Sequence, residues 1–175
     1  MFLYCYESFI NGRSITYSLK ESDGFITEFN FLTPEQYSAF KNSNQPENSM
    51  ILNQTKLIKQ AHDELDSYFN GRNKIFSVPF KAAIGTEFMH KVWDALCDIP
   101  YGETATYSEI AEKIGSKKAC RAVGLANNRN PLGIFVPCHR VIGKNGTLTV
   151  YAGGLDIKSE LLKLEKNSST DQAST

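Results

Sequence analysis

The chain has 175 residues, 41% hydrophobic, 22% charged and 11% aromatic, which supplies enough apolar mass for a packed core and excludes a disordered or fibrous chain. Nineteen basic residues balance nineteen acidic ones, so no overall field draws the molecule onto nucleic acid or anionic membrane, and any such binding has to come from a local patch. No apolar run approaches the ~20 residues of a membrane span and no secretory pattern opens the chain, so the cytoplasm is the default address.

The first third reads as strands. Ile15, Tyr17 and Leu19 alternate with polar residues, as do Phe25, Thr27, Phe29 and Phe31. The joints are Asn11-Gly12 and Asp23-Gly24, dipeptides that favour tight hairpin turns, so residues 2 to 32 are predicted to form a three-stranded antiparallel meander. Lys41 to Asn53 is rich in Asn, Ser, Gln, Glu and Pro and reads as a loop. Leu57, Ile58, Ala61, Leu65, Tyr68 and Phe69 then share one face of a helix that ends at Asn70-Gly71 and packs on the meander. A first α/β domain spans 1–84.

The second domain, 85–166, is helical. Thr86 caps a helix carrying Phe88, Val92, Trp93 and Leu96, which stops before Pro100. Thr106-Tyr-Ser-Glu109 is a capping box opening a short helix to about Lys113. After the Gly115-Ser116 turn a second short helix occupies 117–127, with Ala119, Ala122, Val123 and Ala126 on its inward face, and the pair forms a helix-turn-helix candidate. Leu155, Ile157, Leu161, Leu162 and Leu164 mark a last helix, and 167–175 is a polar tail expected to be disordered.

Residues 107–147 carry Lys113, Lys117, Lys118, Arg121, Arg129, Arg140 and Lys144 against Glu109 and Glu112, a local net charge of +5 in a neutral protein. The patch reads as a nucleic-acid face or as ordinary solvated charge. Cys5, Cys97, Cys120 and Cys138 are widely separated, and His62, His90 and His139 show no metal-ligand spacing, so neither a disulfide framework nor a zinc site is encoded. Cys138 is followed by His139 and Arg140, and nearby positive charge and a hydrogen-bonding base lower a thiol pKa from its usual ~8.5, so it reads as a partial thiolate or as a buried structural cysteine. Adjacent side chains on an extended segment diverge, so a direct Cys138–His139 dyad does not follow from the dipeptide.

Pro137-Cys-His-Arg140 is also the core of a longer pattern. Tyr101-Gly-Glu103 with Tyr107, Arg121-Ala-Val-Gly124 and Asn130-Pro131 lie upstream; Tyr151-Ala-Gly-Gly154 and Leu161-Leu-Lys-Leu-Glu165 lie downstream. In order and spacing from 85 to 166 this resembles the methylated-DNA--protein-cysteine methyltransferases, also called O6-alkylguanine-DNA alkyltransferases; over 1–84 the likeness is architectural only. The resemblance implies an α/β (α+β) fold with a ribonuclease-H-like antiparallel sheet and helix at the N-terminus and a helical winged-helix-like C-terminal domain holding the helix-turn-helix. It implies direct-reversal repair of double-stranded DNA: Cys138 accepts a methyl or alkyl group from O6-alkylguanine, and O4-alkylthymine stays open as a substrate. His139 and Glu165 would draw off the thiol proton through a water, and Tyr107 would protonate the departing base.

By the same resemblance Arg121 fills the space of the extruded base. Lys117, Lys118, Ala122, Ala126 and Arg129 contact DNA, and Asn130, Val141, Tyr151 and Gly153 belong to the alkyl pocket. A plain core role for Tyr107 and a phosphate contact for Arg121 are the simpler readings of those residues taken alone. Val150 stands where many members have glycine, which would stiffen or narrow the pocket loop. Some relatives hold zinc in the first domain, but only Cys5 is suitably placed here, so no metal or other cofactor is expected. The expected state is a monomer, with cooperative loading on DNA left open. A lesion-binding module without transfer and a cysteine hydrolase are the competing readings; Cys138 weighs against the first, and a missing third triad member against the second.

Overall fold

The computed structural model describes residues 1–42 and 51–170, which divide into two compact units, 1–81 and 82–175. The first unit opens with β1 (Phe2–Ile10), β2 (Arg13–Ser22) and β3 (Phe25–Leu32), paired antiparallel in sequence order. Both turns have positive φ at both central positions, 49° and 79° at Asn11-Gly12 and 53° and 79° at Asp23-Gly24. That geometry matches the right-handed strand twist and is open only to Gly, Asn and Asp at low cost, so these dipeptides fix the hairpin register.

Two features of this unit depart from the reading of the sequence. A helix α1 (Pro34–Asn42) follows β3, so Lys41 and Asn42 close a helix and not a loop. At the other end of the expected loop, β4 (Ile51–Leu52) pairs parallel to β1 and makes the sheet order β3-β2-β1-β4. The rest of that loop, 43–50, lies outside the described residues. Helix α2 (Lys56–Phe69) is capped by the Thr55 hydroxyl and ends before Gly71 at φ 71°. Its buried residues, Ile58, Ala61, Leu65, Tyr68 and Phe69, cover the sheet, with the Phe69 ring edge-on to Tyr17 at 5.8 Å.

The second unit is built on α3 (Glu87–Cys97), α4 (Tyr107–Lys113) and α5 (Cys120–Asn128). Thr106 and Glu109 form the reciprocal capping box that starts α4, and Gly115 at φ 71° turns the chain toward α5. The Trp93 indole of α3 donates to the carbonyl of Ala126 at 2.9 Å, which fastens α5 across α3. β5 (Ala105–Thr106) pairs parallel with β6 (Val141–Ile142), bringing the start of α4 beside the chain that leaves Cys138. The last helix, α6 (Gly154–Thr170), runs past the expected end at 166. The hydroxyls of Ser168 and Ser169 donate to the carbonyls of Leu164 and Glu165 at 2.9 and 2.8 Å, so residues expected in a tail continue the helix; 171–175 lie outside the described residues. No helix among the described residues is long and apolar enough to cross a membrane.

Candidate active site

Cys138 is delivered by a tightly held segment. The Asn130 amide donates to the Val136 carbonyl at 2.8 Å while its oxygen accepts from Leu132 N at 3.0 Å, and Val136 N donates to Leu132 O at 2.8 Å. Within this loop buried Ile134 sits at φ +73°, a left-handed conformation that costs a β-branched residue about 1–2 kcal/mol and persists because the surrounding bonds over-determine it. The chain then enters a single 3₁₀ turn, Cys138–Arg140. Cys138 is 5% exposed.

Burial pushes the Cys138 thiol up, against the opposing pull of the Asn130 amide, the Lys158 charge and the backbone amides of 138 and 139. The resting group is therefore a thiol. Of the two readings the Cys-His-Arg sequence leaves open, burial favours the un-ionised thiol over the partial thiolate, and the Arg140 charge is directed elsewhere.

That charge meets Glu165. Arg140 Nε donates to Glu165 Oε2 at 2.9 Å and Nη2 to Oε1 at 2.9 Å, while Nη1 donates to the Ile99 carbonyl at 2.7 Å. Glu165, fully buried, also accepts from Gly102 N at 3.0 Å and from His139 Nε2 at 2.9 Å. Burial alone would raise the Glu165 carboxyl, but His139 and Arg140 hold it well below the usual carboxylate range. His139 is likewise fully buried, and desolvation lowers its pKa against the opposing pull of Glu165, so the imidazole is neutral. A carboxylate only accepts, so Nε2 carries the hydrogen and Nδ1 is the basic nitrogen. A 3₁₀ turn separates successive side chains by about 120°, so His139 and Cys138 diverge.

A second polar group is built around Lys158, whose charge acts on the Cys138 sulfur. Tyr107, the first residue of α4, places its hydroxyl 2.5 Å from Thr149 Oγ1. Lys158 of α6 is fully buried and donates to the Val141 carbonyl at 2.6 Å, with Thr149 O and Oγ1 each 3.5 Å from its nitrogen. Burial pushes the Lys158 pKa down and the Cys138 sulfur pulls it up. The Tyr151 ring stands edge-on to His139 at 6.4 Å, and burial, with Cys138 and Glu165 nearby, pushes its hydroxyl pKa well up, so it stays protonated. Val141 is buried, Gly153 is half-buried, and Val150 is 68% exposed, its side chain turned to solvent.

Residues 87–167 match the family model described as 6-O-methylguanine DNA methyltransferase, DNA binding domain. The methylated-DNA--protein-cysteine methyltransferase of Methanosarcina mazei is 62% identical over 109 residues, 62% of this chain and 68% of that protein. The constitutive methylated-DNA--protein-cysteine methyltransferase of Bacillus subtilis is 46% identical over 149 residues, 85% of this chain and 87% of that protein. The chain belongs to the methylated-DNA--protein-cysteine methyltransferase family. Among solved structures, Mycobacterium tuberculosis OGT in complex with DNA superposes with a TM-score of 0.81 at 38% identity, covering 96% of this chain and 94% of that one.

The outer face of α4 and α5 carries most of the residues expected to contact DNA. Lys117, Lys118, Arg121, Ala122 and Arg129 are exposed, together with Leu125. Ala126 is not: it is 1% exposed and packed inward toward Trp93, so its side chain is no part of that surface. Ala122, read as inward from the sequence, is outward. Arg140 leaves the basic patch as well, because its guanidinium is buried on Glu165. Six exposed basic residues remain in the patch, of which Lys113 pairs with Asp98 and Lys117 with Glu112. Among the described residues no group of three or more His, Cys, Asp or Glu could hold a metal ion.

Pattern reading did not single out Arg140, Thr149, Lys158 or Gly102 as site residues. One signal was available: Lys158, Leu161 and Glu165 are spaced i, i+3 and i+7, which puts two charges on the buried face of α6.

Proposed function

We propose that this methyltransferase repairs double-stranded DNA by moving a methyl or other alkyl group from O6 of guanine onto the Cys138 sulfur, one lesion per molecule. The observation that carries the reading is a buried Cys138 followed directly by a neutral His139 that the Glu165–Arg140 pair orients, in a unit where the Tyr107 phenol meets Thr149 beside buried Lys158. In the transfer the sulfur forms a bond to the alkyl carbon as the carbon–O6 bond breaks, and the electron pair of that bond stays on the purine. The thiol proton passes through a water to His139 Nδ1, and Tyr107 supplies a proton to the departing base, which is otherwise a poor leaving group. The product is a thioether with no carbonyl for water to attack and no thiol to exchange, so the protein is spent.

The base must leave the duplex to reach a sulfur this buried, at a cost of a few kcal/mol. Arg121, on the exposed side of α5, fills the vacated stack from the minor groove, and Lys117, Lys118, Ala122 and Arg129 hold the flanking backbone. Asn130, Val141, Tyr151 and Gly153 shape the alkyl pocket. We read the first unit as a ribonuclease-H-like sheet with a helix, and the second as a winged-helix-like domain whose helix-turn-helix is α4 and α5. The protein works as a monomer in the cytoplasm, without a cofactor.

Incubation with a duplex carrying a labelled O6-methyl group tests the function: wild type takes up label in a 1:1 burst, and Cys138→Ala binds the duplex without taking it up. Duplex binding without label on the wild-type protein would leave only a lesion-binding module.

A further inference from the structure

We propose that Thr149 is a positioning residue for the departing base, its hydroxyl aligning the Tyr107 phenol and passing to it the influence of the buried Lys158 ammonium. This rests on the function proposed above and adds a residue to it.

The argument is one of donor direction. An ammonium has three hydrogens and no lone pair, so Lys158 can only donate, and its neighbours are the Val141 carbonyl at 2.6 Å and the Thr149 carbonyl and hydroxyl at 3.5 Å. A hydroxyl oxygen that faces this cation has its own hydrogen turned away from it, and the Tyr107 oxygen, at 2.5 Å, is the near partner open to that hydrogen. Either oxygen of this pair could donate, and in the proposed direction the phenol oxygen accepts from Thr149 and its own hydrogen is left to point at the substrate. A chain whose donors all run one way, Lys158 to Thr149 to Tyr107, strengthens its terminal donor and supports the negative charge left on the phenol oxygen when its proton moves to the purine. The proton count is unchanged: Tyr107 gives one proton, the purine receives it, and Thr149 and Lys158 keep theirs.

The same chain fixes geometry. Thr149 lies on the loop between β6 and α6, Tyr107 on α4, and Lys158 on α6, so the hydroxyl joins three elements around one point. A purely structural role for Thr149 would hold the loop and nothing more. The two roles differ in whether the leaving group matters.

The test compares two reactions of Cys138 in the full chain: single-turnover transfer from a duplex containing O6-methylguanine, and methylation by iodomethane, whose iodide departs without a proton. Thr149→Val removes the hydroxyl and keeps the branched shape. Expected is transfer from the duplex slowed about 10- to 100-fold, a part of the range general acids contribute, with iodomethane methylation within about 2-fold of wild type. Thr149→Ser restores duplex transfer. In a Tyr107→Phe background Thr149→Val adds no further slowing.

Equal slowing of both reactions, an unaffected duplex reaction, a serine variant as slow as valine, or additive slowing with Tyr107→Phe would each overturn the proposal. Should Thr149→Val fail to fold, Thr149→Ala carries the same comparison. Wild-type protein that methylates with iodomethane but takes nothing from the duplex would instead sink the function itself.

Discussion

Replacing Arg140 with methionine tests whether the buried carboxylate depends on a single cation. The variant keeps an unbranched apolar stem and removes three contacts to Glu165, at 2.9, 2.9 and 3.2 Å, and one to Ile99 O. Two unit charges ~4 Å apart at an effective dielectric of ~20 attract by about 4 kcal/mol, and breaking a buried pair by removing one partner costs about 3–5 kcal/mol. At about 2–4 °C per kcal/mol for a chain of this size, the melting temperature should fall by roughly 6–20 °C. The sign of the pH dependence follows from Glu165. Its folded pKa is depressed, so its contribution is present above the unfolded value of ~4.3 and is lost as pH falls below it. Arg140→Met lacks the part of that contribution that Arg140 supplies beside His139, so the gap between variant and wild type is widest at pH 7 and narrows below about pH 4. Urea unfolding at both pH values measures it, and the Arg140→Met/Glu165→Gln double variant should lose less than the two single variants together. A cost under ~1 kcal/mol, the value of a surface pair, equal at both pH values, would refute the reasoning.

Three further outcomes can be checked directly. Gly102→Ala should destabilise by about 1–2 kcal/mol, because Gly102 sits at φ +82° and a Cβ there would collide with the Ser169 hydroxyl beside the Glu165 carbonyl; an unchanged thermal midpoint would contradict this. Asn130→Ala removes two bonds that hold the segment before Cys138 and should cost about 1–3 kcal/mol in urea unfolding while slowing label transfer, and wild-type values for both would discount its role. The Cys138 thiol is raised by burial, so its contribution to stability is present below the unfolded value of ~8.5 and is lost as pH rises above it; Cys138→Ala should lose less stability than wild type between pH 8 and 10, and parallel curves would rule the shift out.

What the sequence revealed and what it hid follow from how local each signal is. Asn11-Gly12, Asp23-Gly24, the Thr106–Glu109 box and the apolar stripe of α2 act within a few residues, and each appears where pattern reading puts it. Helix α1 buries no residue and so lacks the apolar stripe that marks a helix in a sequence. Its start is nonetheless written in Thr33-Pro-Glu-Gln36: Thr33 N donates to Gln36 Oε1 at 2.9 Å and Gln36 N to Thr33 Oγ1 at 3.2 Å, a capping box with proline at the first helical position. Strand β4 has two residues and pairs with β1 nearly fifty positions away, which no local pattern encodes. In the candidate site, His139, next to Cys138 in the chain, meets Glu165, whereas Arg140, which the sequence puts in the basic surface patch, is buried. Charge is assigned to solvent by default, and only the arrival of Glu165 from 25 residues on reverses that assignment.

The two buried charges of α6 explain why one helix can serve both halves of the proposed transfer. Lys158 and Glu165 are seven residues apart, two helical turns and about 10.5 Å of axial rise, and both are fully buried on the face that meets the 3₁₀ turn at Cys138. At one end Glu165 fixes the His139 tautomer and leaves Nδ1 as the basic nitrogen; at the other Lys158 stands beside Thr149 and Tyr107, where the proposed transfer would give a proton to the base. A buried charge of either sign alone would be costly. Each is met instead by chain segments that the reaction already needs in place, the 3₁₀ turn for Glu165 and the strand leaving it for Lys158. Withdrawal and delivery of the proton are therefore set by the position of one rigid element, and a change that shifts α6 along its axis disturbs both together.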